Sequence, residues 1–133
     1  MQQRAYLAIS FSLRTSLDPV VKTLEQVLAN HGIELFVFVD HYRFSPDQEK
    51  EMMHQAFLEI DRCRLLIAEC TEKAIGVGIE AGYALGRGKE VWYVRPQTAA
   101  HSTTLAGAAH KSFIYQHIED LAGQIKKELH AMI

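Results

Sequence analysis

The sequence has little of the features that mark specialised classes of protein. Cys63 and Cys70 are its only cysteines, and their spacing is not that of a CxxC pair. This argues against a disulfide framework and is typical of a reduced, cytoplasmic protein. Charge is nearly balanced, with 14 Lys and Arg against 16 Asp and Glu. Composition therefore gives no electrostatic reason to expect a nucleic-acid or anionic-membrane partner.

Long apolar runs are also missing. None approaches the roughly 18 residues that a transmembrane helix requires. Met1 is followed almost at once by a predicted strand, so we expect no signal peptide and a cytoplasmic location. Apolar residues make up 48% and charged residues 23% of the 133 residues, which is ordinary for a globular protein. We expect a single domain over residues 1–133 with one core.

Ligand spacings for a metal are absent as well. The sequence has seven histidines, but no two of them share an i, i+4 spacing with a carboxylate partner. We therefore predict no metal site and no cofactor.

Apolar, strand-like segments alternate with segments of helical spacing along the whole chain. The predicted strands are 5–10, 35–39, 65–69, 91–94 and 112–115, and the main predicted helices are 16–31, 45–61, 76–88 and the segment from 118 onward. The strands are apolar on both faces, which is typical of a parallel sheet covered by helices on both sides. We predict an α/β fold with a doubly wound, flavodoxin-like or Rossmann-like sheet of five parallel strands in the order 2-1-3-4-5. Ligands of such folds bind beyond the carboxyl ends of the strands.

Local signals suggest where two of these helices begin. Ser16 is a candidate N-cap of the first helix. Ser45, followed by Pro46, is a candidate N-cap of the second. Met52 and Met53 fall on the apolar stripe of the second helix, so we expect them to fill the core.

The segment from Leu65 to Val94 is the most informative, because a strand, a glycine turn and a helix follow one another in it. Gly76 and Gly78 would let the backbone approach a ligand closely. We predict that Glu80 lies in the first helical turn, where the helix dipole would keep its carboxylate ionised. The glycine spacing does not match a dinucleotide fingerprint, and the end of the first strand lacks the acidic cluster of a response regulator. Glu80 is then either an exposed carboxylate that stabilises the helix dipole or a catalytic group.

A family resemblance favours the second alternative. The residues Ala68-Glu69-Cys70-Thr71, Gly76-Val77-Gly78-Ile79-Glu80, Gly82-Tyr83-Ala84-Leu85 and Gly88-Lys89 resemble the signature of the nucleoside 2-deoxyribosyltransferase superfamily, which includes the 2'-deoxynucleoside 5'-monophosphate N-glycosidases. The resemblance implies an enzyme in which Glu80 attacks the anomeric carbon of a nucleoside or nucleotide. A glycosyl ester forms, the base leaves, and water or a second base takes the sugar. A carboxylate suits this chemistry because the transition state resembles an oxocarbenium ion.

The resemblance extends more loosely to the other loops at the carboxyl ends of the strands. It assigns Tyr6 to the substrate site, with a core aromatic as the alternative. Ser10, Ser102 and Thr103 are expected to hold the phosphate where the ligand is a nucleotide.

Three of the candidate site residues have an alternative interpretation that involves no ligand. Ser102 is either a ligand contact or a helix N-cap, and Asp40 is either a sugar ligand or a turn former. His101 is either a proton donor or a solvated loop histidine.

The sequence also departs from the family pattern. Ala56 stands where the resemblance implies a second carboxylate, and Ala74 replaces a phosphate-contacting serine. Three hypotheses therefore stay open: a deoxyribosyltransferase or N-glycosidase, a catalytically impaired nucleotide-binding protein, and an NAD glycosidase similar to TIR domains. The resemblance further implies a homo-oligomer, dimeric or larger, in which His41, Tyr42 and Phe44 are candidate subunit contacts.

Overall fold

Five parallel strands form one sheet in the computed structural model, which describes residues 3–132. The strands are β1 (Gln3–Ala8), β2 (Ile33–Val37), β3 (Leu65–Glu69), β4 (Glu90–Pro96) and β5 (Lys111–Tyr115), and their order is β2-β1-β3-β4-β5. Every neighbouring pair is parallel. This confirms the predicted doubly wound α/β fold and its strand order. Met1, Gln2 and Ile133 of the predicted domain lie outside the described residues.

Helices cover both faces of the sheet. They are α1 (Asp18–Ala29), α2 (Glu49–Asp61), α3 (Ile75–Gly86), α4 (Thr103–Ala108) and α5 (Ile118–Ala131). Residues of α1 and α5 share one apolar cluster, and residues of α2, α3 and α4 share the other. Because successive strand residues point to opposite faces, Leu7 joins the first cluster and Tyr6 joins the second. Tyr6 thus points toward α3.

Two predicted helix starts are wrong. The Ser16 hydroxyl donates to the Leu13 carbonyl at 3.0 Å and caps nothing, so α1 begins two residues later, at Asp18. The backbone N–H and the hydroxyl of Ser45 both donate to the side-chain carbonyl of Gln48, each at 2.9 Å. This serine–glutamine pair therefore closes a turn before the helix, and α2 begins at Glu49.

The first two strands end earlier than predicted. β1 ends at Ala8, so Ser10 lies in a loop. β2 ends at Val37, and Phe38–Asp40 form a 3-10 turn. After both strands the backbone therefore leaves the sheet at the edge where a doubly wound fold binds its ligands.

Residues 3–132 contain neither a candidate membrane-spanning helix nor a candidate metal-binding cluster. No helix in this range combines the length and the hydropathy needed to cross a bilayer. Nor does the range contain a group of three or more His, Cys, Asp or Glu side chains arranged to hold a metal ion.

Candidate active site

A cavity of about 480 Å3 opens at the carboxyl ends of β1 and β2, beside the first two turns of α3. We call it the Glu80 cavity, because Glu80 lies in its wall. It occupies the switch point between β1 and β3, as the fold predicts. Most of its surface is apolar, which suits a flat, weakly polar ligand group. Its lining residues are Ile9, Ser10, Phe11, Phe38, Val39, Tyr42, Arg43, Phe44, Met52, Met53, Ala56, Ala74, Gly76, Val77 and Glu80.

Glu80 is half-buried and is the sixth residue of α3. It therefore lies in the second turn, and the predicted first-turn position is wrong because Ala74 already serves as the N-cap. Burial raises the pKa of Glu80 to about 7, and a hydrogen bond from Tyr6 opposes that rise. The prediction that the helix dipole keeps Glu80 ionised is also wrong. At neutral pH, burial leaves a substantial fraction of this carboxyl group protonated.

Tyr6 holds the Glu80 carboxyl group in place. Its side chain is fully buried in β1, and its hydroxyl donates to Oε2 of Glu80. Burial and the nearby Glu80 carboxylate raise the pKa of Tyr6, so its hydroxyl keeps its proton and remains a donor. Tyr6 thus contacts the candidate nucleophile from within the apolar core, as the core alternative predicted, and its assignment to the substrate site stays a prediction.

The turn that leads into α3 is fixed by another buried carboxyl group. Glu69 ends β3 and is 1% exposed. It accepts hydrogen bonds from the backbone N–H of Thr71 at 2.9 Å and from the Thr71 hydroxyl at 2.6 Å. These bonds hold the first residues of the segment between β3 and α3 against the end of β3.

Ala56 occupies the wall of the Glu80 cavity, where the family resemblance implies a second carboxylate. Glu59, which lies further along the same helix, is buried, but its carboxylate contacts residues other than Glu80. It accepts a hydrogen bond from the Tyr42 hydroxyl and lies 3.4 Å from Arg62 and 3.8 Å from Arg4. Glu59 does not line the cavity.

The predicted phosphate-binding serines line two different cavities. Ser10 and Gly76 line the Glu80 cavity. Gly78 and Ser102 line a separate cavity of about 440 Å3 between α3 and α4. Ala74 lines both cavities, and the assignment of Ser10 and Ser102 to one phosphate stays a prediction.

Residues 101–103 lie outside the lining of the Glu80 cavity. The Ser102 hydroxyl accepts from the Leu105 backbone N–H at 3.2 Å, so the N-cap alternative is confirmed. Thr103 is the exposed first residue of α4. His101 is exposed, with its ring centroid 5.9 Å from that of Tyr93. Neither Thr103 nor His101 lines the Glu80 cavity.

Asp40 is engaged by a cation. Its carboxylate accepts two hydrogen bonds from Arg14, at 2.9 and 2.8 Å, in a bidentate pair. Asp40 does not line the Glu80 cavity. This pair ties the loop after β1 to the 3-10 turn after β2.

The two predicted glycines have no conformational need to be glycine. Neither has a positive φ, and a Cβ added at Gly76 or Gly78 would meet nothing within 4 Å. Gly76 borders the Glu80 cavity, so a side chain there would occupy space that is otherwise open to a ligand.

The apolar wall of the cavity was not predicted. Met52 and Met53 line the cavity, and Met52 is 36% exposed, so the expectation of core filling is wrong. Helical spacing cannot distinguish a cavity wall from a core, because both place side chains on the inner face of a helix. Tyr42 and Phe44, predicted as subunit contacts, line the cavity and stack with Phe38 at centroid distances of 5.0 and 6.1 Å.

The sequence pattern of the nucleoside 2-deoxyribosyltransferase family matches residues 5–127. No curated protein sequence gives a significant match.

Several solved structures share the fold. The CMP N-glycosidase BcmB of Clostridium botulinum is 21% identical with a TM-score of 0.67, and the alignment covers 94% of this chain and 99% of that one. A 2-deoxyribosyltransferase from Bacillus psychrosaccharolyticus is 20% identical with a TM-score of 0.68, covering 95% of each chain. A conserved protein from Enterococcus faecalis is 17% identical with a TM-score of 0.69, covering 96% of this chain and 99% of that one. At such identities these structures establish the fold alone. The family match spans nearly all of the sequence, and the chain therefore belongs to the nucleoside 2-deoxyribosyltransferase family.

Proposed function

We propose that the protein cleaves or transfers the N-glycosidic bond of a nucleoside or nucleotide, with Glu80 as the nucleophile. The observation that carries the proposal is the Tyr6–Glu80 pair, which fixes a carboxyl oxygen at the wall of a largely apolar cavity. Membership of the nucleoside 2-deoxyribosyltransferase family supports the same chemistry. Glu80 is the carboxylate available for it, because among the described residues the charged side chains that line the cavity are Glu80 and Arg43.

The proposed mechanism begins with the base on the aromatic wall formed by Phe38, Tyr42 and Phe44. Stacking there would leave the anomeric carbon of the sugar facing Glu80. The carbon–nitrogen bond breaks, its electron pair goes to the base, and positive charge develops on the sugar. A negative Glu80 stabilises that charge and then forms an ester bond to the anomeric carbon.

The second half of the reaction releases the sugar from Glu80. Attack on the anomeric carbon by water gives hydrolysis, and attack by the nitrogen of a second base gives transfer. Tyr6 stays protonated throughout because its pKa is raised, so it orients Glu80 and supplies no proton to the base. The leaving base takes its proton from solvent, which enters through the open mouth of the cavity.

A second candidate function is nucleotide binding without catalysis. Ala56 favours it, because no second carboxylate among residues 3–132 lines the cavity to assist the leaving group. The two functions differ in whether free base is released.

A homo-oligomer in the cytoplasm is part of the same proposal. Phe11 is 76% exposed at the Glu80 cavity, and Ile75 is 84% exposed at the start of α3. A second copy of the chain that covers these side chains would also close the cavity mouth. Light scattering coupled to size-exclusion chromatography tests this, and a monomer at micromolar concentration would contradict it.

The test of the enzymatic proposal is release of free base from a panel of nucleosides and nucleotides, followed by mass spectrometry. We expect the intact protein to release base from at least one member, and Glu80→Ala to release none above background. Glu25→Ala is the matched control, because Glu25 is an exposed glutamate on α1, on the opposite face of the sheet. If the intact protein releases no base from any member, the enzymatic proposal is wrong.

A further inference from the structure

A glutamate carboxylate accepts hydrogen bonds from two serine hydroxyls at the edge of the Glu80 cavity. Glu72 lies in the turn between β3 and α3, and Oε1 accepts hydrogen bonds from both Ser10 and Ser12. The Ser12 bond is 3.0 Å long, and the two serine oxygens are 3.1 Å apart. Ser10 is 8% exposed and lines the cavity. The three side chains thus join the loops that follow β1 and β3.

These contacts give Glu72 a defined charge. The two serine hydrogen bonds lower the pKa of its carboxyl group, so Glu72 is ionised at neutral pH. Serine hydroxyls in such a loop are donors that a phosphate group would require. Here they donate instead to a negative side chain, which would repel a second anion.

We propose that Glu72 is a specificity-determining residue that excludes a 5'-phosphate, so that the substrate is an uncharged nucleoside rather than a nucleotide. The proposal rests on the proposed function at the same cavity. An ionised carboxylate has about four acceptor sites. Glu72 can therefore hold both serines and still accept a hydrogen bond from the 5'-hydroxyl of a nucleoside. A phosphate at the same place offers no donor when it is fully ionised.

Among residues 3–132, the groups that lower the pKa of Glu72 are the two serines and not a cation. Lys73 follows Glu72 but lines the separate cavity beside α4. Arg43 lines the Glu80 cavity on the loop that precedes α2, whereas the serine pair lies on the loop after β1. A phosphate bound by Arg43 would give the opposite substrate preference, and the experiment below detects that outcome.

The test compares a 2'-deoxynucleoside with its own 5'-monophosphate. We expect kcat/KM to favour the nucleoside by at least about tenfold, because an exposed charge is partly screened but still repels a dianion. Glu72→Gln keeps an acceptor for the serines and removes the charge. Glu72→Gln should reduce the ratio of the two kcat/KM values by about tenfold, mainly by lowering KM for the nucleotide. Glu25→Gln removes the same charge from α1 and should leave the preference unchanged.

Binding separates this proposal from the catalytic one. Calorimetry gives Kd for the same two compounds with the intact protein and with Glu72→Gln, whether or not base is released. Preferential nucleoside binding that Glu72→Gln reduces supports the role of Glu72 even if the protein proves inactive. A preference for the nucleotide, an unchanged preference in Glu72→Gln, or binding of neither compound overturns it.

Discussion

Replacement of Glu80 by glutamine should make the protein more stable, and only at high pH. Burial raises the pKa of Glu80 from 4.5 to about 7, which means that the folded protein holds the charged form at a cost. Glutamine has nearly the same shape and can still accept the hydrogen bond from Tyr6, but it carries no charge. The substitution therefore removes the cost of the buried charge and leaves the packing of the site unchanged.

The direction and the size of the change in unfolding free energy follow from proton linkage. Between pH 4.5 and 7 the folded chain binds more protons at Glu80 than the unfolded chain does, so stability falls as pH rises through this window. The rise of the Glu80 pKa from 4.5 to about 7 corresponds to at most about 3–4 kcal/mol, since one pKa unit is about 1.4 kcal/mol. We expect Glu80→Gln to be more stable than the wild-type protein by about 1–3 kcal/mol at pH 8 and to be equally stable near pH 4.5.

Equilibrium urea denaturation at the two pH values measures this difference. Urea is preferable to guanidinium chloride because it adds no salt to screen the charge. Glu25→Gln, on the exposed face of α1, should show no such pH dependence. A Glu80→Gln difference that is the same at pH 4.5 and pH 8 would refute the argument that burial, rather than some other effect, sets the pKa.

Three further predictions concern the surroundings of Glu80. Tyr6→Phe removes the donor that lowers the pKa of Glu80, so the pH at which base release reaches half its maximum should rise by about one unit or more, as a pH–rate profile would show. A profile with an unchanged midpoint would contradict the positioning role. Ser102→Ala should cost about 1 kcal/mol of unfolding free energy as a lost N-cap and leave KM unchanged, whereas a ligand contact would raise KM. Phe38→Ala should raise KM about tenfold or more through lost stacking on the base, while kcat changes little in steady-state kinetics. A fall in kcat as large as the rise in KM would show that Phe38 instead shapes the site.

The fold could be predicted because its signals are local and repeated. Strands that are apolar on both faces require helices on both sides, and this fixes the class of the sheet. Helix starts were less predictable, because serine and glutamine side chains can close a turn as readily as they cap a helix. Ser45 and Gln48 form such a turn here, one turn ahead of α2.

The candidate site could be predicted only in part, for a physical reason. Glu80 follows from a glycine-rich motif that is continuous in sequence, whereas its pKa depends on burial that the whole fold creates. Ser10 and Ser102 line different cavities, and this depends on tertiary packing that the sequence does not show. The Glu72–serine contact joins residues about 60 positions apart, and no local pattern indicates it.

The most direct test of the central claim is detection of the sugar on Glu80. The protein is mixed with a substrate found in the base-release panel, quenched in acid within the first turnover, digested and examined by mass spectrometry. We predict a peptide that contains Glu80 and has gained the mass of the bound sugar, and we predict that Glu80→Gln lacks it. An active protein that carries no sugar on this peptide, or carries it on another residue, would contradict the assignment of Glu80 as the nucleophile.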